Sequence, residues 1–377
     1  SGWTGDWQLF AETAAFLYDV REFNRKFLTD VRTLQDASGR VLNIAPKDKT
    51  SVEGFPGNLN GSSGWGDVVA QAPMMYREYG DIEQLEENFE AMTRWVQFAV
   101  QTAGSGRHPS REGKPKKPHE DYLWDTGFHW GEWLEPDNPV DDFGAFLASD
   151  KAIVATAYLH RSALQVAEAA RVLGETDQIA VYHEIASGAL AAWRDEFLQP
   201  DGSISQPSQA NYARALAFGL IPEQLVGQTA GHLAKLVADN GYRLATGFLA
   251  TPMLLPALAD HGYLDLAYRL LCQEQETSAD SYDPKDVSKA YGALSVKIAY
   301  LAVAEVAGSD RVHLTAHQKL VVLNVAPDRV DALVQATAGL QVHELAGDVG
   351  GGGVEVVLAL AAGEGRVQLA GLRIDEV

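Results

Sequence analysis

The sequence predicts an all-α fold, a ring of helix pairs, with a small β-rich appendage at its C-terminal end. Three observations carry this reading. Apolar residues recur at spacings of three and four through the first 300 or so residues. Alternating strand patterns are absent from that span, and helices paired without strands argue for a toroid or solenoid. Beyond residue 312 the pattern changes to short β-branched runs separated by glycine. Hydrophobic residues make up 46% of the 377, enough to bury a full core, so a disordered chain is excluded. The expected division is a helical domain over 1–308 and a small β-rich or α+β domain over 312–377.

The elements follow in chain order. A loop rich in Gly, Pro, Asn and Ser spans 36–63. From Asp81, the residues Leu85, Phe89, Met92, Trp95, Val96 and Ala99 form one apolar stripe, with Glu83, Glu86, Glu87 and Glu90 around it. A basic loop at 104–118 carries Arg111, Lys114, Lys116 and Lys117. It reads either as a functional lid or as a solvated excursion, the latter favoured. Helices are expected at 150–173, stopping at Gly174, and at 177–198, stopping before the turn Pro200-Asp201-Gly202. Further helices fit 206–218, 222–240, 251–261, 264–275 and 287–306. No fixed-length repeat is visible, which favours a closed ring over a short-repeat solenoid. In the tail, strands are expected at 319–324, 354–360 and 367–374, and a helix at 329–337.

Charge removes several partners. With 30 Lys+Arg against 51 Asp+Glu the formal charge is −21, which repels phosphate backbones and anionic lipid. Neither nucleic acid nor a membrane surface is expected as a partner. The single cysteine, Cys272, excludes an internal disulfide and reads as a small buried hydrophobe. The opening residues show no basic stretch followed by an apolar run, and no stretch reaches 18 apolar residues. The expected location is cytoplasmic, or secreted with a leader removed.

Three clusters combine tryptophan, glycine and a carboxylate. They are Gly2-Trp3-Thr4-Gly5-Asp6-Trp7, Gly64-Trp65-Gly66-Asp67 and His129-Trp130-Gly131-Glu132-Trp133. Tryptophan offers a flat apolar face for the C–H face of a sugar ring, and carboxylates accept hydrogen bonds from its hydroxyls. Each cluster lies at or just before a helix start, so helix entrances converging on one face would build a sugar-sized pocket. The plainer alternative makes the tryptophans core fillers and the acids helix caps, and for Asp67 a cap fits equally well. A Gly-x-Ser-x-Gly elbow, a phosphate loop and His-Glu-x-x-His are all missing from the sequence. The sequence offers no metal ligand set, and no cofactor is expected.

The clusters resemble motifs of the α-L-rhamnosidases of glycoside hydrolase family 78. The likeness runs through Gly2-Trp3-Thr4-Gly5-Asp6 with Phe10 to Phe16, then Gly64-Trp65-Gly66-Asp67. It continues through Phe128-His129-Trp130-Gly131-Glu132-Trp133-Leu134 to Thr246-Gly247-Phe248-Leu249-Ala250-Thr251-Pro252. These occur in family order over residues 1–272. The resemblance implies an (α/α)6 helical toroid and inverting hydrolysis of terminal α-L-rhamnose from a glycoside or oligosaccharide. By matching motif, Trp3, Trp65 and Trp133 would line the rhamnose pocket, and Asp6 would bind sugar hydroxyls. Asp67 and His129 belong to the same candidate set. The family's proton-donating glutamate lies ahead of Gly-Trp-Thr-Gly-Asp, before Ser1, and its Trp-Glu-Arg-Trp motif and later Asn-His pair have no counterpart here. The catalytic residues are therefore unassigned, with Glu132 and Glu276 as candidates. The acidic run Glu274, Glu276, Asp280, Asp283 and Asp286 reads by default as a solvated loop. Turnover is expected to be very low unless other acids substitute, since each catalytic acid or base contributes roughly 10²–10⁴-fold. Two alternatives stay open: a catalytically silent sugar-binding protein, and another helical-toroid carbohydrate enzyme.

Overall fold

The structure, a computed structural model, describes residues 2–46, 59–136 and 142–272, and strands at 312–314, 319–325, 341–346 and 354–359. These divide into two compact units, residues 1–12 with 20–281, and residues 13–19 with 282–377. The first unit is helical. A two-stranded antiparallel ribbon, β1 (Gly2–Trp3) and β2 (Ile44–Ala45), brackets in sequence α1 (Thr4–Leu17), whose residues from Thr13 on are grouped with the second unit, and α2 (Arg21–Leu34). Then come α3 (Ala72–Tyr79) and α4 (Ile82–Ser105), a short α5 (Phe143–Ala148), and the long pair α6 (Ala152–Leu173) and α7 (Thr176–Phe197). The pairs α8 (Gln209–Ala217) with α9 (Glu223–Asp239), and α10 (Thr251–Ala259) with α11 (Leu264–Leu271), complete it.

Local chemistry sets the helix bounds. The Asp81 carboxylate accepts the Gln84 N–H at 3.0 Å and so starts α4. The stripe behind it is buried as the period requires: Leu85, Met92, Trp95, Val96 and Ala99 are inside. Gly174, at φ 77°, ends α6 in the left-handed conformation. α8 begins three residues later than its periodicity suggests, because the Ser208 hydroxyl accepts the Asn211 N–H at 3.2 Å. The pair α6 and α7 shows an inner and an outer partner. α6 is buried almost all round, whereas α7 buries one stripe, with Tyr182, Ala186, Ala189, Trp193 and Phe197 in it. The core cluster joins Leu28 of α2, Met92 and Trp95 of α4, Leu159 of α6 and Ala186 of α7.

The two long loops differ. The described part of the 36–63 loop is packed: Val41, Asn43, Ala45, Ser62 and Ser63 are buried, and the Thr4 hydroxyl donates to the Leu42 and Asn43 carbonyls. In the basic loop Arg111 is buried against Asp150, against Glu196 at 3.2 Å and against Asp125 at 3.3 Å. Arg111 is thus a charged staple, while the rest of the loop, with Lys114, Lys116 and Lys117, is mostly exposed, as the solvated reading has it. Cys272 is exposed at the end of α11, which corrects the buried reading.

The second unit contains an antiparallel sheet of β3 (Val312–Leu314), β4 (Lys319–Val325), β5 (Gln341–Ala346) and β6 (Val354–Ala359), in the order β3-β4-β6-β5. Two expected strands are present, and β3 and β5 were not foreseen. The helices expected at 287–306 and 329–337, and the strand at 367–374, lie outside the described residues. Among the described residues no helix is long and apolar enough to cross a membrane.

Candidate functional site

Three distant segments meet at one indole. The Trp130 ring lies 6.0 Å from Trp3, 5.9 Å from Trp65 and 5.0 Å from Trp133, centroid to centroid. The structure thus brings together the three tryptophans of the candidate set around a fourth that the set did not include. Its signal was present, since it shares a motif with Trp133. Trp130 and Trp65 are buried, and Trp3 and Trp133 are partly exposed. Phe248 joins the cluster at 5.6 Å from Trp65.

Glycines make these approaches possible. A Cβ on Gly5 would sit 2.6 Å from the Trp65 indole nitrogen, so this ring lies directly on the first turn of α1. A Cβ on Gly247 would meet the Trp133 carbonyl oxygen at 2.5 Å, and the neighbouring Phe248 N–H donates to that same oxygen at 2.6 Å. The loop before α10 is thereby fastened to the loop carrying Glu132 and Trp133.

The carboxylates divide into one open and two enclosed. Asp6 stands in the first turn of α1, exposed beside the Gly5–Trp65 contact. Desolvation raises its pKa, opposed by its own backbone N–H. Asp67 is enclosed: one oxygen accepts the Gly64 N–H at 2.6 Å, the other the Trp95 indole N–H at 3.0 Å and the Ser162 hydroxyl. Burial raises its pKa against those bonds. It is not a helix cap, because the amide it holds lies three residues upstream. Glu132 forms a buried ion pair with Arg214, and its other oxygen accepts the Ala250 N–H at 2.9 Å. Burial raises this carboxyl, against the pull of Arg214 and of the amides from Gly247 to Ala250. Both of its oxygens are occupied in joining α8, the Trp133 loop and the loop before α10.

His129 is equally internal. Its Nδ1 accepts the Ser63 N–H at 3.1 Å, which leaves Nε2–H to donate to the Thr126 carbonyl at 3.1 Å. Burial lowers its pKa to about 4. Among the buried groups without a hydrogen-bond partner in the described residues are the Trp65 indole N–H and the hydroxyls of Ser63 and Tyr158. No group of three or more His, Cys, Asp or Glu among the described residues is arranged to hold a metal ion. Glu276 and the rest of the 274–286 acidic run lie outside the described residues.

Comparison with known proteins turns this geometry into a family. Residues 1–280 match the family described as the bacterial α-L-rhamnosidase six-hairpin glycosidase domain. The chain belongs to that family. Among curated relatives, an α-L-rhamnosidase of Streptomyces avermitilis is 32% identical over 274 residues, 72% of this chain and 23% of that protein. One from Formosa agariphila is 30% identical over 281 residues, 72% of this chain and 27% of the relative. This chain therefore spans about a quarter of the length of these relatives. A crystal structure of Streptomyces avermitilis α-L-rhamnosidase complexed with L-rhamnose superposes with a TM-score of 0.63 at 22% identity, over 95% of this chain and 37% of that one. Native α-L-rhamnosidase from Aspergillus terreus superposes with a TM-score of 0.59 at 27% identity, over 73% of this chain and 30% of that one. The rhamnosidase-family fold is the (α/α)6 helical toroid that the helix pairs suggested, with a β-rich appendage.

Proposed function

We propose that this chain recognises the terminal α-L-rhamnosyl group of a glycoside or oligosaccharide and takes part in its hydrolysis with inversion. The observation that carries the reading is the convergence of Trp3, Trp65 and Trp133 on Trp130, with the Asp6 carboxyl open beside them. Partly exposed indoles offer stacking faces, and Asp6 offers an acceptor to sugar hydroxyls. In the same reading residues 1–308 form the sugar-handling domain and 312–377 a separate appendage.

Inversion needs one carboxylic acid to protonate the leaving oxygen and one carboxylate to activate water, about 6.5–9.5 Å apart. Glu132 and Asp67 do not suit either task, because internal donors hold both oxygens of each. Their part is to position loops: Asp67 shapes the turn that presents Trp65, and Glu132 ties Trp133 to Phe248. His129, bonded on both ring nitrogens, braces the segment leading to Trp130. The enclosure of Glu132 favours a second reading, in which the chain by itself binds rhamnose without turning it over.

The test pairs a titration with a rate. L-Rhamnose should perturb tryptophan fluorescence saturably, because the sugar would stack on the clustered indoles. No saturable response would overturn the site. With an aryl α-L-rhamnoside, release of β-L-rhamnose as the first product supports inverting hydrolysis. Binding without release supports the second reading.

A further inference from the structure

Among the described residues two that are not glycine have a positive φ, Leu134 at 61° and Tyr242 at 60°. That left-handed conformation strains an L-residue, and leucine, unlike asparagine, has no local hydrogen bond to offset the strain. Tyr242 has a local reason for it: it follows α9, and its N–H donates to the Val237 carbonyl at 2.9 Å, closing the end of that helix. Leu134 ends no helix. It directly follows Trp133, in a loop that already turns left-handed once at Gly131, φ 62°. A strained residue of this kind persists only where its surroundings hold it.

The hold comes from α8. Arg214 is buried there; one of its terminal nitrogens donates to a Glu132 oxygen and the other to the Asn211 side-chain carbonyl at 2.9 Å. The second Glu132 oxygen accepts the Ala250 N–H at 2.9 Å, and the Trp133 carbonyl accepts the Phe248 N–H at 2.6 Å. The two residues before Leu134 are thus fixed from two directions, by α8 and by the loop before α10. A buried ion pair is a poor source of net stability, because desolvation offsets its attraction. What this pair supplies is geometry: it fixes Glu132, and with it the backbone on which Trp133 stands.

We propose that Arg214, acting through Glu132, is a positioning residue for the rhamnose site: the pair clamps the strained turn at Leu134 in the conformation that presents Trp133 to the sugar. The proposal rests on the rhamnose reading above. Without the clamp, relief of strain at Leu134 lets the loop relax, and the affinity falls by the fraction of molecules whose loop has left the binding geometry. Strain at one such residue is enough to leave about one molecule in ten in that geometry, a loss of about tenfold.

The experiment separates position from stability. L-Rhamnose titration and urea unfolding are measured on the whole chain and on the double variant Glu132→Leu, Arg214→Met. Replacing both charges should keep most of the stability and yet weaken rhamnose binding about tenfold. Adding Leu134→Gly or Leu134→Asn, residues that tolerate the left-handed conformation, should return the affinity to within about twofold of the native chain. Adding Leu134→Ala, which removes the side chain and keeps the strain, should not. Native affinity in the double variant overturns the proposal. So does failure of Gly and Asn to rescue it, or equal rescue by Ala. If the double variant does not fold, Leu134→Ile and Leu134→Gly in the otherwise native chain decide. A β-branched residue tolerates positive φ least, so the Ile variant should bind at least about threefold more weakly than the Gly variant; equal affinities overturn the proposal. A native chain that binds no rhamnose refutes the rhamnose reading itself, an outcome distinct from a bound sugar indifferent to these substitutions.

Discussion

His129 offers a direct measurement of how the site is built. Its ring is buried edge-on to Trp124, with centroids 4.7 Å apart, and is bonded on both nitrogens. A second ring proton would have to sit on Nδ1, where the Ser63 N–H already points. Burial is the main force lowering the pKa from 6.5 to about 4; nearby Lys151 adds to it, while the Thr126 carbonyl and Asp150 oppose it. The sign follows from which state binds the proton. Between pH 6.5 and 4 the unfolded chain takes up a proton at this position and the folded chain does not. The stabilisation is thus complete above about pH 6.5 and is lost as pH falls towards 4. At about 1.4 kcal/mol per unit, roughly 2 kcal/mol should be gone by pH 5 and about 3 kcal/mol by pH 4.

The comparison is with His129→Asn, which keeps an acceptor for Ser63 and does not titrate. Urea unfolding of both chains at pH 7.5, 6 and 5 isolates His129, because the other ionisable groups are common to the pair. The advantage of the native chain should shrink by about 2 kcal/mol between pH 7 and 5. NMR of the imidazole carbons should find His129 neutral at pH 5. An imidazole titrating near 6.5, or a difference that is flat with pH, would refute the buried-strut account.

Three further outcomes follow from the geometry. Arg214→Met leaves Glu132 buried without its countercharge and should cost about 3–5 kcal/mol, much of it regained when Glu132→Leu is added; strict additivity in that double-mutant cycle would refute the pairing. Gly5→Ala introduces a Cβ 2.6 Å from the Trp65 indole nitrogen, so it should cut rhamnose affinity at least about tenfold (a misplaced stacking ring) while circular dichroism still reports the native helix content. Asp6→Ala removes the open carboxylate among the described candidates and should weaken rhamnose binding by about 1.5–3 kcal/mol, read by titration, with thermal stability nearly unchanged.

Which residues were legible in the sequence depends on how far away their partners lie. Asp81 caps α4 through an amide three residues on, and Gly174 ends α6 through its own backbone angle, so both could be read locally. The apolar stripe of α4 was legible for the same reason, since one helix carries its whole period. The tryptophan clusters were visible as composition, but their meeting at Trp130 joins residues 3, 65 and 133, and no local pattern encodes that. The carboxylates were hardest. Glu132 looks like a candidate acid until Arg214, 82 positions later, occupies it, and Asp67 looks like a cap until Ser162, 95 positions later, donates to it. Arg111 is the mirror case: its lysine-rich surroundings suggest solvent, yet Asp125, Asp150 and Glu196 enclose it. A charged group's role is set by the charges and dipoles that reach it in the fold, and in a ring of helix pairs those come from distant turns of the chain. Among the described residues none of those distant donors reaches Asp6, so its carboxyl stays open where those of Glu132 and Asp67 are enclosed.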